Sequence, residues 1–122
     1  MSKRAFEIIE GAAKMHDLKY EIKPAAVSFG GENSPDMMAL GEEVAKKLPW
    51  VTEIVPYLDF SGSEDVTIFM DRVQKKGGKA LFAVFGTPVF GGHHNSKFDI
   101  DEKVIQNGAE FFLSLLQAVT KK

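Results

Sequence analysis

Two adjacent histidines, His93 and His94, head a run of polar and acidic residues: His93-His94-Asn95-Ser96-Lys97-Phe98-Asp99-Ile100-Asp101-Glu102. Imidazole nitrogen is a common ligand for zinc and similar metals, and a nearby carboxylate can orient a ligating histidine through its second nitrogen. Side chains of consecutive residues point in different directions, so the pair offers one ligand more readily than two. Taken alone, it also reads as an ordinary exposed loop. Asp99 and Glu102 have the D-x-x-E spacing of a capping box, in which the Asp oxygen accepts a free helix N–H and the Glu reaches back. We take that structural role first; ligation or orientation of a histidine by Asp99 and Asp101 is the alternative. A second acidic turn, Ser61-Gly62-Ser63-Glu64-Asp65, fits the same box through Ser61 and Glu64, and acid in a first helical turn is favoured by the helix dipole. Its functional alternative is a set of free N–H groups and polar side chains facing a substrate or an oxyanion.

The chain contains no cysteine, which excludes disulfides, thiolate ligands and cysteine nucleophiles. Any metal must therefore be held by His, Asp or Glu. The same absence fits a reducing compartment, and a cytoplasmic location is expected. Fifteen basic and 17 acidic residues are interspersed, for a net charge of -2, so no basic stripe exists to neutralise a phosphate backbone. The longest apolar stretches are too short to span a bilayer. Neither nucleic acid nor membrane is expected as a partner. At 122 residues, 44% hydrophobic and 26% charged, the composition is that of a folded globular protein of ordinary domain size.

Positioning these residues falls to an alternation of helices and strands. Ala5, Phe6, Ile8, Ile9, Ala12 and Ala13 recur close to a helical period, which predicts a helix over Lys3 to His16 with Ser2 as N-cap. His16, near its end, suits the helix dipole. Leu18, Tyr20 and Ile22 alternate with charged residues and predict a strand with one face in water, ended or placed at an edge by Pro24. Ser28 to Pro35, with Gly30, Gly31 and Asn33, is the one credible linker. Ser34 then predicts an N-cap with Pro35 at the first helical position, for a helix that ends before Pro49. Val51 to Val55 is a β-branched run of strand type. Val66, Phe69, Met70 and Val73 predict a helix stopped by Gly77-Gly78, a pair that lacks the spacing of a phosphate loop. Ala80 to Phe85 is continuously apolar, as in a strand buried on both faces of a largely parallel sheet. A last helix carries Val104, Ile105, Gly108, Ala109, Phe112, Leu115, Leu116 and Val119 on one side. The fold class predicted is α/β, and His93 and His94 follow a buried strand where open α/β sheets commonly form sites.

Three segments together resemble a known family. They are Gly62-Ser63-Glu64-Asp65; Met70-Asp71-Arg72-Val73-Gln74 followed by Gly77-Gly78-Lys79-Ala80; and Gly92-His93-His94 through Glu102. In order and spacing they resemble the dinuclear-metal amidohydrolases and peptidases that include aminoacylases, auxin-conjugate hydrolases and aminobenzoyl-glutamate utilisation proteins. The last branch is the most similar, and the resemblance covers nearly all of the chain. It implies a zinc-peptidase-like catalytic domain, a mostly parallel sheet with flanking helices, interrupted by an α/β lid that often mediates dimerisation. Residues 1–29 then resemble the end of the lid, and residues 30–122 the C-terminal part of the catalytic domain.

By that resemblance, His94 is the family's C-terminal metal ligand, judged by its distance to Phe98 and Asp99. His93 and Asn95 are its active-site neighbours, and the Ser63-Glu64-Asp65 turn lies beside the metal and substrate site. Ser96 stands where the family usually has proline. The remaining ligands, including a cysteine usual in this branch, and a glutamate general base belong to an N-terminal region that this sequence lacks. The expectation is a C-terminal portion of a hydrolase that uses zinc or manganese to cleave amide bonds of N-acyl amino acids, aminobenzoyl-glutamate-like compounds or small peptides. Alone it is expected to be inactive and to bind metal weakly. The alternative is a non-enzymatic binding or assembly module, or half of a split hydrolase that docks with a separate N-terminal half. Uncovered apolar faces are expected to favour a homo-oligomer.

Overall fold

The structure, a computed structural model, describes residues 2–25, 30–58 and 64–121. Among these residues the order is α1 (Ser2–Met15), α2 (Pro35–Ala45), α3 (Val66–Lys75), β1 (Val89–Phe90), β2 (Asp99–Ile100) and α4 (Lys103–Thr120). This is a mixed α/β arrangement in which the strands form one two-stranded antiparallel sheet.

The core lies where α2 packs on α4. Val44 and Leu48 meet Phe111 and Leu115, all buried, with Met37, Leu40, Trp50, Leu81 and Phe85 packed around them. Full burial of one such side chain stabilises the fold by about 1.5–3 kcal/mol. Gly41 sits at the close approach: a Cβ there would stand 3.1 Å from Leu81 Cδ2 and 3.6 Å from Phe111 Cζ. The Phe85 ring is edge-on to Phe111 at 5.4 Å and to Phe112 at 5.8 Å between centroids. These aromatics pin the 80–88 segment onto α4.

The helix ends follow the sequence in part. Asp17, at φ 50°, closes α1: Leu18 N–H donates to Ala13 C=O and Asp17 N–H to Lys14 C=O, the Schellman pattern. Gly77, at φ 80°, closes α3 in the same way through Gly78 N–H to Val73 C=O. Pro35 opens α2 as expected, but the Ser34 side chain makes no cap bond. Its hydroxyl instead accepts from Ala80 N–H at 3.1 Å and from Gln74 Nε2 at 3.2 Å.

Three predicted strands, Leu18 to Ile22, Val51 to Val55 and Ala80 to Phe85, form no ladder among the described residues. Each has a strand's side-chain pattern, but a ladder requires a second strand alongside, and none of the described residues supplies one. The expected parallel sheet is correspondingly not formed among these residues. For Ala80 to Phe85 the substitute is a polar clasp. Ser34 N–H donates to Ala80 C=O at 2.9 Å, and the Asn33 amide both donates to Phe82 C=O and accepts from Phe82 N–H, at 2.9 and 2.6 Å.

The chain leaves much apolar surface in water. Its accessible surface is 10317 Å², whereas a compact monomer of 13.5 kDa exposes about 6,500 Å². Ile8, Ile9, Leu58, Phe69, Phe90, Leu113 and Leu116 are all exposed. Ala13 is the one buried residue of α1 among those described. No helix among the described residues is long and apolar enough to cross a membrane.

Candidate functional site

The histidine loop is the tip of a short hairpin. β1 and β2 pair with Val89 opposite Ile100 and Phe90 opposite Asp99, leaving residues 91–98 as the connection. The loop turns back on itself through three left-handed residues: Gly91 (φ 76°), Gly92 (φ 70°) and His94 (φ 56°). Gly91 is required twice over. Its φ favours glycine, and a Cβ there would stand 2.5 Å from Lys97 C=O. Asn95 closes the far side, its Oδ1 accepting from Lys97 N–H at 2.9 Å and its carbonyl from Phe98 N–H at 3.0 Å. The Asn95 side chain thus shapes the turn.

His93 lies against the Phe98 ring, with centroids 5.2 Å apart and the rings tilted by 32°. His94 is exposed, and no hydrogen bond joins it to any other described residue. A left-handed backbone is uncommon for a residue with a Cβ, though histidine is among the side chains that adopt it more often. Its effect here is to aim the two imidazoles differently. The His93 ring is stacked on Phe98, whereas the His94 ring has no such partner among the described residues.

The acidic neighbours are placed differently from expectation. Asp99 is in β2, and its Oδ1 accepts from Ile100 N–H; Glu102 occupies the N-cap position of α4 without a side-chain cap bond. Asp101 supplies the cap instead, its Oδ1 accepting from Lys103 N–H at 3.0 Å and its carbonyl from Val104 N–H. The Asp99–Glu102 capping box is therefore corrected to an Asp101 cap. Pairing of Asp99 with Phe90 holds its main chain in the hairpin, out of reach of the helix N–H groups. Among the described residues, neither Asp99 nor Asp101 is hydrogen-bonded to a histidine.

Of the second acidic turn, Ser61, Gly62 and Ser63 lie outside the described residues. Glu64 is half-buried and acts through its carbonyl, which accepts from Thr67 N–H and, at 2.7 Å, from Thr67 Oγ1. Asp65 is exposed at the N-cap of α3 and makes no side-chain cap bond. No contact joins Glu64 or Asp65 to His93, His94 or Asn95 among the described residues. Nor does any group of three or more His, Asp or Glu side chains among them have a geometry that could hold a metal ion. A catalytic zinc takes three protein ligands, so these residues do not make a metal centre by themselves.

A wide cavity lies elsewhere. It is an open groove of about 960 Å³ between α2, α4 and the segments 50–58 and 81–88, lined mainly by apolar side chains such as Met38, Val51, Leu81 and Val104. None of Glu64, Asp65, His93, His94 and Asn95 lines it, whereas Asp101 does.

Three curated hydrolases match this chain. It is 37% identical over 108 residues to an indole-3-acetyl-aspartic acid hydrolase of Enterobacter agglomerans, and 36% identical over 108 residues to a p-aminobenzoyl-glutamate hydrolase polypeptide of Escherichia coli (strain K12). A homolog of the latter in Haemophilus influenzae is 30% identical over 117 residues. The chain is a relative of these amidohydrolases. The matches take in 88–96% of the chain but 25–28% of the relatives, so it spans about a quarter of their length. No family model and no solved structure matches this amidohydrolase relative.

The residues that sequence reasoning missed are the ones that position the loop and its neighbours. Gly91 was signalled by a Gly-Gly pair after a strand-like run, and Asp101 by its place just before a helix. Nothing in the sequence marked the Asn33 amide as a partner for Phe82, because the two meet only in the folded chain.

Proposed function

We propose that this amidohydrolase relative is the C-terminal portion of a metal-dependent amidohydrolase, acting on N-acyl amino acids, aminobenzoyl-glutamate-like compounds or small peptides. The observation that carries the reading is the combination of coverages: nearly all of this chain matches about a quarter of three amide hydrolases. Within it, His94 is assigned as one ligand of a divalent metal, zinc or manganese. The other ligands and the general base are assigned to polypeptide outside this sequence. His93, Asn95 and the Ser63-Glu64-Asp65 turn are assigned as neighbours of the substrate. The exposed imidazole of His94, without a hydrogen bond to any other described residue, and the excess apolar surface support a role completed by further protein. By itself the chain is proposed to be inactive.

The test is reconstitution. The purified chain, with zinc or manganese added, is assayed for release of p-aminobenzoate from p-aminobenzoyl-glutamate, alone and after co-expression with the N-terminal three quarters of the Escherichia coli relative. No turnover alone, turnover on co-expression, and its loss in His94→Ala are expected. Turnover by the chain alone, or full activity of the reconstituted His94→Ala variant, would falsify the assignment.

A further inference from the structure

The chain has three asparagines, each followed by a residue with a main-chain N–H: Asn33-Ser34, Asn95-Ser96 and Asn107-Gly108. In such a pair the nitrogen of the second residue can close a ring on the side-chain amide carbon of the first, provided that neither group is held elsewhere. The fold treats the three pairs differently. Asn33 gives both ends of its amide to Phe82, and the Ser34 N–H donates to Ala80 C=O, so neither reacting group is available. Asn107 and Gly108 lie within α4, where Gly108 is buried and its N–H belongs to the helix ladder. Asn95 differs in each respect. It is exposed in the 91–98 connection, and no hydrogen bond joins the Ser96 N–H to any other described residue. Its Oδ1 accepts from Lys97 N–H at 2.9 Å, which folds the side chain over the intervening Ser96 peptide. The same N–H is placed to stabilise negative charge developing on Oδ1 when the amide carbon is attacked.

We propose that Asn95 is a site of self-modification, where the folded chain deamidates through a cyclic imide. The Ser96 nitrogen attacks Asn95 Cγ. The N–Cγ bond forms, the Cγ–Nδ2 bond breaks, and the proton of the Ser96 N–H leaves with Nδ2 as ammonia. Water then opens the ring, its hydroxyl going to carbon and its remaining proton to nitrogen. Opening at Cγ leaves aspartate at position 95, whereas opening at the main-chain carbon leaves iso-aspartate, in which the chain runs through the former side chain. Either product replaces a neutral amide by a carboxylate beside His94. The second also takes the Asn95 carbonyl, which accepts from Phe98 N–H, out of the main chain and so undoes the turn. Water and this loop are the whole requirement, so the modification and the hydrolase assignment can fail separately.

The full chain is incubated at mildly alkaline pH, sampled over days, and digested for mass spectrometry that locates the change of amide to acid. Asn95 should convert at least about tenfold faster than Asn33 and Asn107, which must wait for local opening of the Phe82 clasp or of α4. Unfolding in urea should reverse the order in favour of Asn107, because glycine hinders the attacking nitrogen least. Iso-aspartate should accompany aspartate at position 95, since direct hydrolysis of the amide gives aspartate alone. Ser96→Pro, which has no N–H to lose, should keep Asn95 intact. An Asn95 that lasts as long as Asn33 or Asn107, the same order in urea, aspartate without iso-aspartate, or undiminished conversion in Ser96→Pro overturns the proposal. If Ser96→Pro loses the helical circular dichroism of the native chain, Ser96→Gly decides: conversion at position 95 should quicken, and an unchanged rate rejects attack by this nitrogen.

Discussion

Helices α1 and α4 are both amphipathic, yet α4 buries the centre of its apolar stripe while leaving Ile105, Phe112, Leu113, Leu116 and Val119 exposed, and α1 buries Ala13 alone among the described residues. α4 turns Phe111 and Leu115 into the core against Val44 and Leu48. α1 carries a comparable stripe but leaves Phe6, Ile8 and Ile9 exposed, at 38%, 60% and 47% of their full surface. Its order rests on local devices: the ion pairs Arg4–Glu7 and Lys14–Glu10 and the left-handed close at Asp17. Surface ion pairs of this kind contribute little, whereas each buried aromatic contributes kilocalories. An apolar stripe thus states that a face needs cover without stating whether this polypeptide supplies it.

The widest separation between the two helices should come from paired truncations. Phe111→Ala should destabilise the chain by about 3–5 kcal/mol, read as a fall in urea midpoint, because it empties the centre of the core. Ile9→Ala should change the midpoint by less than about 0.5 kcal/mol equivalent, since an exposed side chain loses little. Equal effects would show that α1 is covered in solution and would end the contrast. A smaller effect, confined to the hairpin, is expected from Gly91→Ala. Its positive φ and the close Lys97 carbonyl should cost about 1–3 kcal/mol, with faster amide exchange in the 89–100 hairpin, Phe98 included, while α2 and α4 keep theirs. Uniform destabilisation would mean that the hairpin and core unfold as one unit.

The smallest effect is a pH dependence local to α1. The hydrogen bond and charge of Lys14 hold the Glu10 carboxyl below its ordinary range, and Glu10 in turn raises Lys14. A depressed carboxyl contributes above its unfolded pKa and loses that contribution as pH falls through its folded value. A raised lysine contributes below its unfolded pKa and loses that contribution as pH rises through its folded value. Amide exchange in α1 should therefore quicken slightly at both extremes, relative to Glu10→Gln. A variant with the same pH response would remove the ion pair from the account of α1.

How much was legible depended on the range of the interaction. The helices at Ser2–Met15, Pro35–Ala45, Val66–Lys75 and Lys103–Thr120 follow from apolar periodicity, Pro35 and the Gly77-Gly78 stop, all read within a few residues. The strand-like runs at 18–22, 51–55 and 80–85 were legible as patterns but not as strands. Hydrogen bonding in a ladder belongs to two segments, and among the described residues no second segment pairs with these runs. At the histidine loop, residue types raised the expectation of one ligand from His93 and His94. The left-handed φ of His94, the Phe98 stack on His93 and the turn bonded by Asn95 were set by the hairpin.

By itself, then, the sequence determined the positions of the helices, because local sterics and periodicity decide those. Tertiary structure alone decided that Asp101 rather than Asp99 caps α4, because β2 commits the Asp99 main chain to Phe90. It likewise decided that the Asn33 amide holds the main chain of Phe82. These outcomes turn on which distant main-chain groups meet, and hydrogen bonds between residues some 50 positions apart leave no local trace in the order of residues.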